Sequence, residues 1–284
     1  MRYMADLHTH TTASDGQYAP TELVRMAKGQ GLEAIAITDH DTVDGLWEAV
    51  QAGKKYGLRI IQGIELSAKE YPTFHILGYG ITPDTPVLLK LCKRMKSRRE
   101  ERNERLLMFL YGKGIGLSLS EVTEIAGGDI IGRPHFAQAM VRHGYVSTNR
   151  EAFDRYLDTV EYHEKVEGGK PSAQECIEAI KASEGKVSLA HPYQIGISCD
   201  ELDILVKKLK DLGLDAIECF YPKYTAEEQK FYLHLANKYQ LHCTGGSDFH
   251  GERVKPDVEL AALKLELDWI LNSSESATLS DYSF

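Results

Sequence analysis

Residues 33–41 read Glu-Ala-Ile-Ala-Ile-Thr-Asp-His-Asp. The stretch EAIAIT is an apolar run of the length a buried strand needs. Where it ends stand Asp39, His40 and Asp41, side chains that bind metals or move protons. The same pairing of strand and chemistry recurs on both sides. Upstream, Met4 to Leu7 reads as a short strand that runs into His8-x-His10, with Asp15 in the loop beyond. Downstream, Arg59 to Leu66 is a strand with Gly63 and Glu65 near its end, and Phe74 to Tyr79 is another that contains His75. Val187 to Ala190 ends at His191, Asp215 to Phe220 is a further strand, and Leu241 to Gly245 is followed by Gly246, Asp248 and His250.

Helical segments separate these strands. Pro20-Thr21 opens one through Lys28, which Gly29 and Gly31 end. Val43 to Tyr56 is closed by Gly57. Ser172-x-x-Glu175 and Thr225-x-x-Glu228 are capping boxes for helices through Ala182 and Tyr239, and Asp200 starts a helix through Leu212. Repeated β-α units imply a parallel sheet with helices outside, open or closed into a barrel. The pattern breaks over residues 86–169, which show helical spacing and no clear strand. There Leu106, Leu107, Phe109 and Leu110 form an apolar stripe, Ser118-x-x-Glu121 resembles a capping box, and His135 to His143 and Glu151 to Leu157 read as helical. The expected organisation is a discontinuous barrel over 1–90 and 170–271, a helical insertion over 91–169, and a weakly ordered Ser-rich tail over 272–284.

A chain of 284 residues with 43% hydrophobic content can bury a large core, which sets disorder and low-complexity classes aside. The net charge of −9 argues against binding duplex nucleic acid through a basic surface, and a metal-bound carboxylate cluster inflates such a count. No apolar run approaches the ~18 residues of a membrane span. Asp6 leaves no room for the apolar core of a signal peptide. The scattered Cys92, Cys176, Cys199, Cys219 and Cys243 form no C-x-x-C pair, and read as reduced thiols of a cytoplasmic protein.

Any one of these imidazoles or carboxylates has an ordinary structural explanation. His8 and His10 alone are two histidines at a strand end, and His75 alone is a satisfied core histidine. Independent coincidence at six or seven strand ends is implausible, and strand carboxyl ends are where α/β sheets place their sites. Nitrogen and oxygen donors without sulfur suit Mn, Zn or Fe(II), and a donor count well above four implies more than one ion. His143, His163, His234 and His242 lie in helical or flanking context and read as structural.

The motifs Asp6-Leu7-His8-Thr9-His10, Thr38-Asp39-His40-Asp41, Gly63-Ile64-Glu65, Leu189-Ala190-His191-Pro192 and Gly246-Ser247-Asp248-Phe249-His250-Gly251 resemble the successive motifs of the PHP (polymerase and histidinol phosphatase) family. The likeness runs from residue 1 to about 256. Gly132-Arg133-Pro134-His135 in the insertion resembles the bacterial branch that removes a phosphate from nucleoside 3′,5′-bisphosphates, some members of which trim the 5′ ends of short RNAs. The resemblance implies a distorted (β/α)7 barrel of PHP type with an all-α insertion, holding two or three Mn, Fe or Zn ions. It carries ligand roles onto His8, His10, Asp15, His40, Glu65, His75, His191, Asp248 and His250, among which Asp15, His40, His191 and Asp248 are expected to be catalytic. The implied reaction is hydrolysis of a phosphate monoester by water activated at the ions. The expected substrate is a small phosphorylated nucleotide or short oligonucleotide, with no duplex, membrane or obligate protein partner.

On the substrate side, Arg133 is held between Gly132 and Pro134 and can grip two phosphate oxygens. The alternative for it is a pair with a carboxylate of the insertion. His135 is placed to contact phosphate or to pack, and Tyr221, before Pro222 at a strand end, to stack on a base or to pack. In Lys90 to Arg105, Arg94, Arg98, Arg102 and Arg105 share a helical face, expected to be mostly solvated with Glu100, Glu101 and Glu104 as partners; the alternative is that it lines the cleft, where it would attract a polyanion such as a short RNA. The branch often carries Gly-Lys-Pro-aromatic after the insertion. Here Gly169-Lys170-Pro171-Ser172 lacks the aromatic, and no lysine contact to substrate is expected from it. The competing readings are a histidinol-phosphate phosphatase, which shares the barrel, and a non-catalytic PHP scaffold, from which the presence of all nine candidate ligands argues away.

Overall fold

The structure, a computed structural model, describes residues 2–126 and 131–274, the last three by their backbone alone. In chain order the elements are β1 (Arg2–Asp6), α1 (Pro20–Gly29), β2 (Ala34–Ile37), α2 (Leu46–Tyr56), β3 (Arg59–Ser67), β4 (His75–Tyr79), α3 (Pro86–Gly112), α4 (Leu119–Ala126), α5 (Arg133–Arg142) and α6 (Asn149–Ala152). A π-helical turn (Phe153–Leu157), α7 (Val160–Lys165), α8 (Ala173–Ala182), β5 (Lys186–Leu189), a 3₁₀ turn (Pro192–Ile195), α9 (Cys199–Asp211), β6 (Ala216–Phe220), α10 (Ala226–Lys238), β7 (His242–Gly245), β8 (Leu263–Glu266) and α11 (Asp268–Ser274) follow. Local chemistry fixes many boundaries. Gly57 closes α2 in the left-handed conformation at φ 66°, and the boxes at Ser172 and Thr225 start α8 and α10. A further box, Ser198 with Glu201, starts α9.

The strands form one eight-stranded sheet in the order β7-β6-β5-β4-β3-β2-β1-β8. The sheet curls round so that the end of β7 meets the end of β1 at the carboxyl rim, where Leu7 N donates to Gly245 O at 3.1 Å and Asp248 N to His8 O at 2.8 Å. The result is a nearly closed α/β barrel. Two features correct the expectation of a parallel sheet. β4 runs antiparallel to both β3 and β5, because β3 and β4 are joined by the short segment 68–74 with no crossover helix. β8, which the sequence reading passed over, pairs antiparallel with β1. The alternation Leu263-Lys264-Leu265-Glu266 is too short to stand out by period.

Strand pleat divides the core. Along β2, Ile35 and Ile37 join the outer cluster under the helices, while Ala34 and Ala36 join Ala5, Ala190 and Leu77 inside the barrel. A separate apolar cluster gathers Leu106, Leu110, Val122, Phe136, Met140, Leu157 and Tyr162 within the helical stretch, and no strand among the described residues lies between Tyr79 and Lys186. Among the described residues no helix is long and apolar enough to cross a membrane. Of the expected tail, 272–274 are the last residues of α11 and 275–284 lie outside the described residues.

Candidate metal centre

All nine side chains singled out as metal ligands converge at the carboxyl rim. His75 reaches it as the first residue of β4, not the end of a parallel strand, because that strand is reversed. Glu65, fully buried, is central. Its Oε1 lies 3.3 Å from His8 Nε2 and 2.9 Å from both His75 Nδ1 and His191 Nε2, and its Oε2 lies 3.2 Å from His10 Nε2 and 2.9 Å from His40 Nδ1. Asp15 Oδ1 is 3.3 Å from His250 Nε2, and Asp248 Oδ1 is 3.4 Å from His10 Nε2 and 3.7 Å from His8 Nε2. Donor atoms gather within 4.8 Å of one another in four overlapping sets: His10, Asp15, His40 and His250; His8, Glu65 and His191; His8, His10 and Asp248; and His40, Glu65 and His75. The sharing of Glu65, His8, His10 and His40 among sets is the pattern of a multinuclear centre.

The donors fit such ions on their own chemistry. His8 Nε2, both His10 nitrogens, Asp15 Oδ1, His40 Nδ1, Glu65 Oε2 and His191 Nδ1 are buried with no hydrogen-bond partner among the described residues. So many buried orphans in one place are costly without a ligand. The field is also cation-seeking. Burial opposes charge on His10, yet Asp248 and Glu65 lift its pKa to about 9, and Glu65, Glu218 and Asp248 likewise hold His8 well above the usual imidazole range. Against the cost of burial, neighbouring imidazoles hold the Glu65 and Asp15 carboxyls well below the ordinary range. For Asp248, Lys255, His8 and His250 do the same. Burial lowers the His75 and His250 pKa values to about 3 and about 4, which favours the neutral ring a metal ligand needs. Bound divalent ions would supply an activated water and neutralisation of phosphate oxygens.

Buried carboxylates behind the ligands hold them in place. Glu218 Oε1 is 3.1 Å from His8 Nδ1, and its Oε2 accepts from His191 N at 2.6 Å. Asp39 accepts from Thr11 N and Thr11 Oγ1, each at 2.7 Å, and from Ser14 Oγ at 2.6 Å, which fixes the loop presenting Asp15. Asp6 accepts from His8 N, Ser247 N, Ser247 Oγ and Ala261 N. Asp41, His191 and Asp248 adopt φ of 58°, 22° and 57°, strained for residues with a side chain and concentrated here. A Cβ on Gly246 would stand 2.4 Å from His8 Cβ, so only glycine lets the chain after β7 pass the ligand pair after β1.

Over the centre opens a pocket of about 270 Å³. Asp15, His40, His75 and His250 form its floor, and Arg98, Arg99, Arg102, Arg133, Lys170 and Lys255 its cationic wall. The basic stretch is therefore not mainly a solvated face. α3 packs Met95 and Leu106 inward, and this turns Arg98 and Arg102 inward with them, both buried. The partners differ from the expected glutamates too. Arg94 pairs with Glu175, Arg98 with Glu167 and Arg99 with Asp41, while Arg105 approaches Glu101 at 3.8 Å. Lys170, expected to stand away from substrate, is half-buried in the pocket wall and donates to Pro72 O at 2.8 Å.

Arg133 lines the pocket while donating to Leu157 O at 3.1 Å and Asp158 Oδ1 at 2.9 Å. His135 is buried, and its Nδ1 accepts from Gly132 N at 3.1 Å, so its ring closes the start of α5. Tyr221 is buried, donates to Asp248 Oδ2 at 3.1 Å and packs against Tyr193 and Tyr224, so it buttresses a candidate ligand and is not an open stacking platform. The sequence reading missed Glu218 and Lys255, and it set Lys170 aside. Glu218 had a signal, an acid in the apolar run Ala216–Phe220, whereas the cations are placed only by folding.

A barrel rim that gathers nine imidazole and carboxylate donors beneath a cationic pocket defines a metal-dependent hydrolase of anionic esters. The chain belongs to the PHP domain family, whose model matches residues 6–168, and is a metal-dependent phosphoesterase. It is 33% identical over 246 residues to a 5′-3′ exoribonuclease of Haemophilus influenzae (86% of this chain, 89% of that one). It is 30% identical to a phosphoribosyl 1,2-cyclic phosphate 1,2-diphosphodiesterase of Eggerthella lenta (87% and 94%) and 30% identical to a 3′,5′-nucleoside bisphosphate phosphatase of Chromobacterium violaceum (86% and 86%). A solved structure from Bifidobacterium adolescentis superposes with a TM-score of 0.83 at 29% identity, covering 95% of this chain and 96% of that one.

Proposed function

We propose that this phosphoesterase acts on a phosphorylated nucleotide carrying a second phosphate, either a nucleoside 3′,5′-bisphosphate or the 5′ end of a short oligonucleotide. The observation that carries the reading is Arg102. It is 3% exposed, lines the pocket beside the metal centre, and has no hydrogen-bond partner on Nε or Nη1 among the described residues. A buried guanidinium left so incomplete calls for an anionic ligand. Arg98, Arg99, Arg133 and Lys170 surround it, more positive charge than one phosphate at the ions would require. The reacting phosphate then lies over Asp15, His40 and His250, the second phosphate against Arg102 and Arg99, and Arg133 grips from the insertion. Water adds to phosphorus as the ester P–O bond breaks: a bisphosphate gives phosphate and a nucleoside monophosphate with one hydroxyl freed, and an oligonucleotide gives a mononucleotide and a strand one residue shorter. Two or three ions, of Mn, Fe or Zn, suit the nine ligands.

Histidinol phosphate has no second phosphate and would leave Arg102 unmatched. Phosphate release with Mn²⁺ from adenosine 3′,5′-bisphosphate, histidinol phosphate and phosphoribosyl 1,2-cyclic phosphate tests the reading. We expect kcat/KM for the bisphosphate to exceed that for histidinol phosphate by about 100-fold, the worth of two charged hydrogen bonds. Equal rates, or a preference for either other substrate, overturns it.

A further inference from the structure

Beside the catalytic pocket lies a second, larger groove of about 1060 Å³ between α3, α8 and residues 165–169. The two cavities share a wall made by Arg98 and Glu167, an ion pair whose side chains line both. Arg98 also donates to Gly168 O, so the side chain that borders both cavities is tied to the loop lining the groove. The groove has an apolar floor at Val87, Leu91 and Ala179. Its rim is charged, and the internal pairs Arg94–Glu175, Arg98–Glu167 and Arg105–Glu101 cancel most of that charge. Glu178 is held by Gln174. Lys90 and Lys93, both exposed on α3 at the groove, have no carboxylate partner among the described residues.

Size makes the groove informative. The catalytic pocket, at about 270 Å³, is at the lower limit of small-ligand sites, so it holds the reacting end of a substrate and little more. Whatever follows in a longer substrate must leave it, and the adjoining cavity with surplus positive charge is this groove. We propose that the groove receives the nucleotides downstream of the processed end of a single-stranded oligoribonucleotide, with Lys90 and Lys93 on its phosphodiesters. The proposal rests on the nucleotide reading above and adds where the strand behind the processed 5′ end is held. With no aromatic ring on the groove lining, contact is to the backbone, so binding tolerates sequence and weakens with salt.

The test pairs Lys90→Glu/Lys93→Glu with wild type in the metal-loaded protein. A 5′-phosphorylated pentaribonucleotide with a 3′-fluorescein and a phosphorothioate first linkage is titrated by anisotropy. KM is measured for adenosine 3′,5′-bisphosphate and for the unmodified pentamer. Expected are a rise of about ten-fold in pentamer Kd and KM, a bisphosphate KM within about two-fold of wild type, and a salt slope shallower by about 1.4, two contacts at about 0.7 each. Pentamer binding unchanged within two-fold, or equal losses on pentamer and bisphosphate, overturns the groove. Failure of the nucleotide reading looks different: wild type then hydrolyses neither substrate, and anisotropy still reports on the groove.

Discussion

Arg102 sets stability against binding at a single residue. Its burial holds the guanidinium pKa down, and Ile131 O, at 3.2 Å from Nη2, accepts its one direct hydrogen bond among the described residues. Replacing such a group with an apolar side chain of similar length removes an uncompensated desolvation cost. Arg102→Met is therefore expected to raise Tm by a few degrees, for about 1–2 kcal/mol, while raising KM for a bisphosphate at least ten-fold. A lower Tm in scanning calorimetry would show that the guanidinium is satisfied within the fold. Glu218 acts through others: it touches His8 and the backbone of His191 from behind. Glu218→Gln keeps the shape and removes the charge, so metal affinity is expected to fall about 10- to 100-fold. Titrating the variant with Mn²⁺ should restore most of kcat at saturation. A loss of kcat that metal cannot restore would contradict a positioning role.

Elements meet at the rim with almost no clearance. The turn after β7 passes the strand end of β1 at Gly246, where Cβ would lie 2.4 Å from His8 Cβ and 2.5 Å from His8 N. Gly246→Ala must displace one strand end from the other, which separates Asp248 from His8 and His10. The expected result is a loss of metal retained after gel filtration, measured by elemental analysis, together with a fall in stability of about 2 kcal/mol or more. Full metal content in a folded variant would show that the rim tolerates separation. Element spacing also explains what was readable here. His8-x-His10 and Asp248-x-His250 follow strands whose apolar runs are self-evident, so their convergence needed only the rule that strand carboxyl ends share a rim. β4 obeys a different logic, because a hairpin reverses it and brings its first residue, His75, to that rim.

The charge of the whole molecule misleads about its site. The chain carries −9 overall, yet the pocket gathers Arg98, Arg99, Arg102, Arg133, Lys170 and Lys255 from α3, α5 and later loops. Burial, with repulsion from Arg133 and Arg98 and against the pull of Glu167, lowers the Lys170 pKa to about 8. In the free enzyme Lys170 is then cationic at neutral pH and loses its charge as pH rises through about 8. A bound phosphate favours the charged form, so kcat/KM for a bisphosphate is expected to fall above that pH while kcat stays level. Lys170→Arg, charged throughout, should hold kcat/KM up. A descending limb that survives in Lys170→Arg would assign the titration elsewhere. The sequence alone determined the alternating α/β class, the helical stretch and which nine imidazoles and carboxylates meet at the rim, because strand periodicity and strand-end chemistry are local properties; closure into a barrel was implied by the family resemblance. Only the tertiary structure decided the reversed β4, the eighth strand, the buried carboxylate behind His8 and the inward turn of the α3 arginines. Each of these depends on which surfaces pack together, and a buried charge becomes legible only when the surfaces that bury it are known.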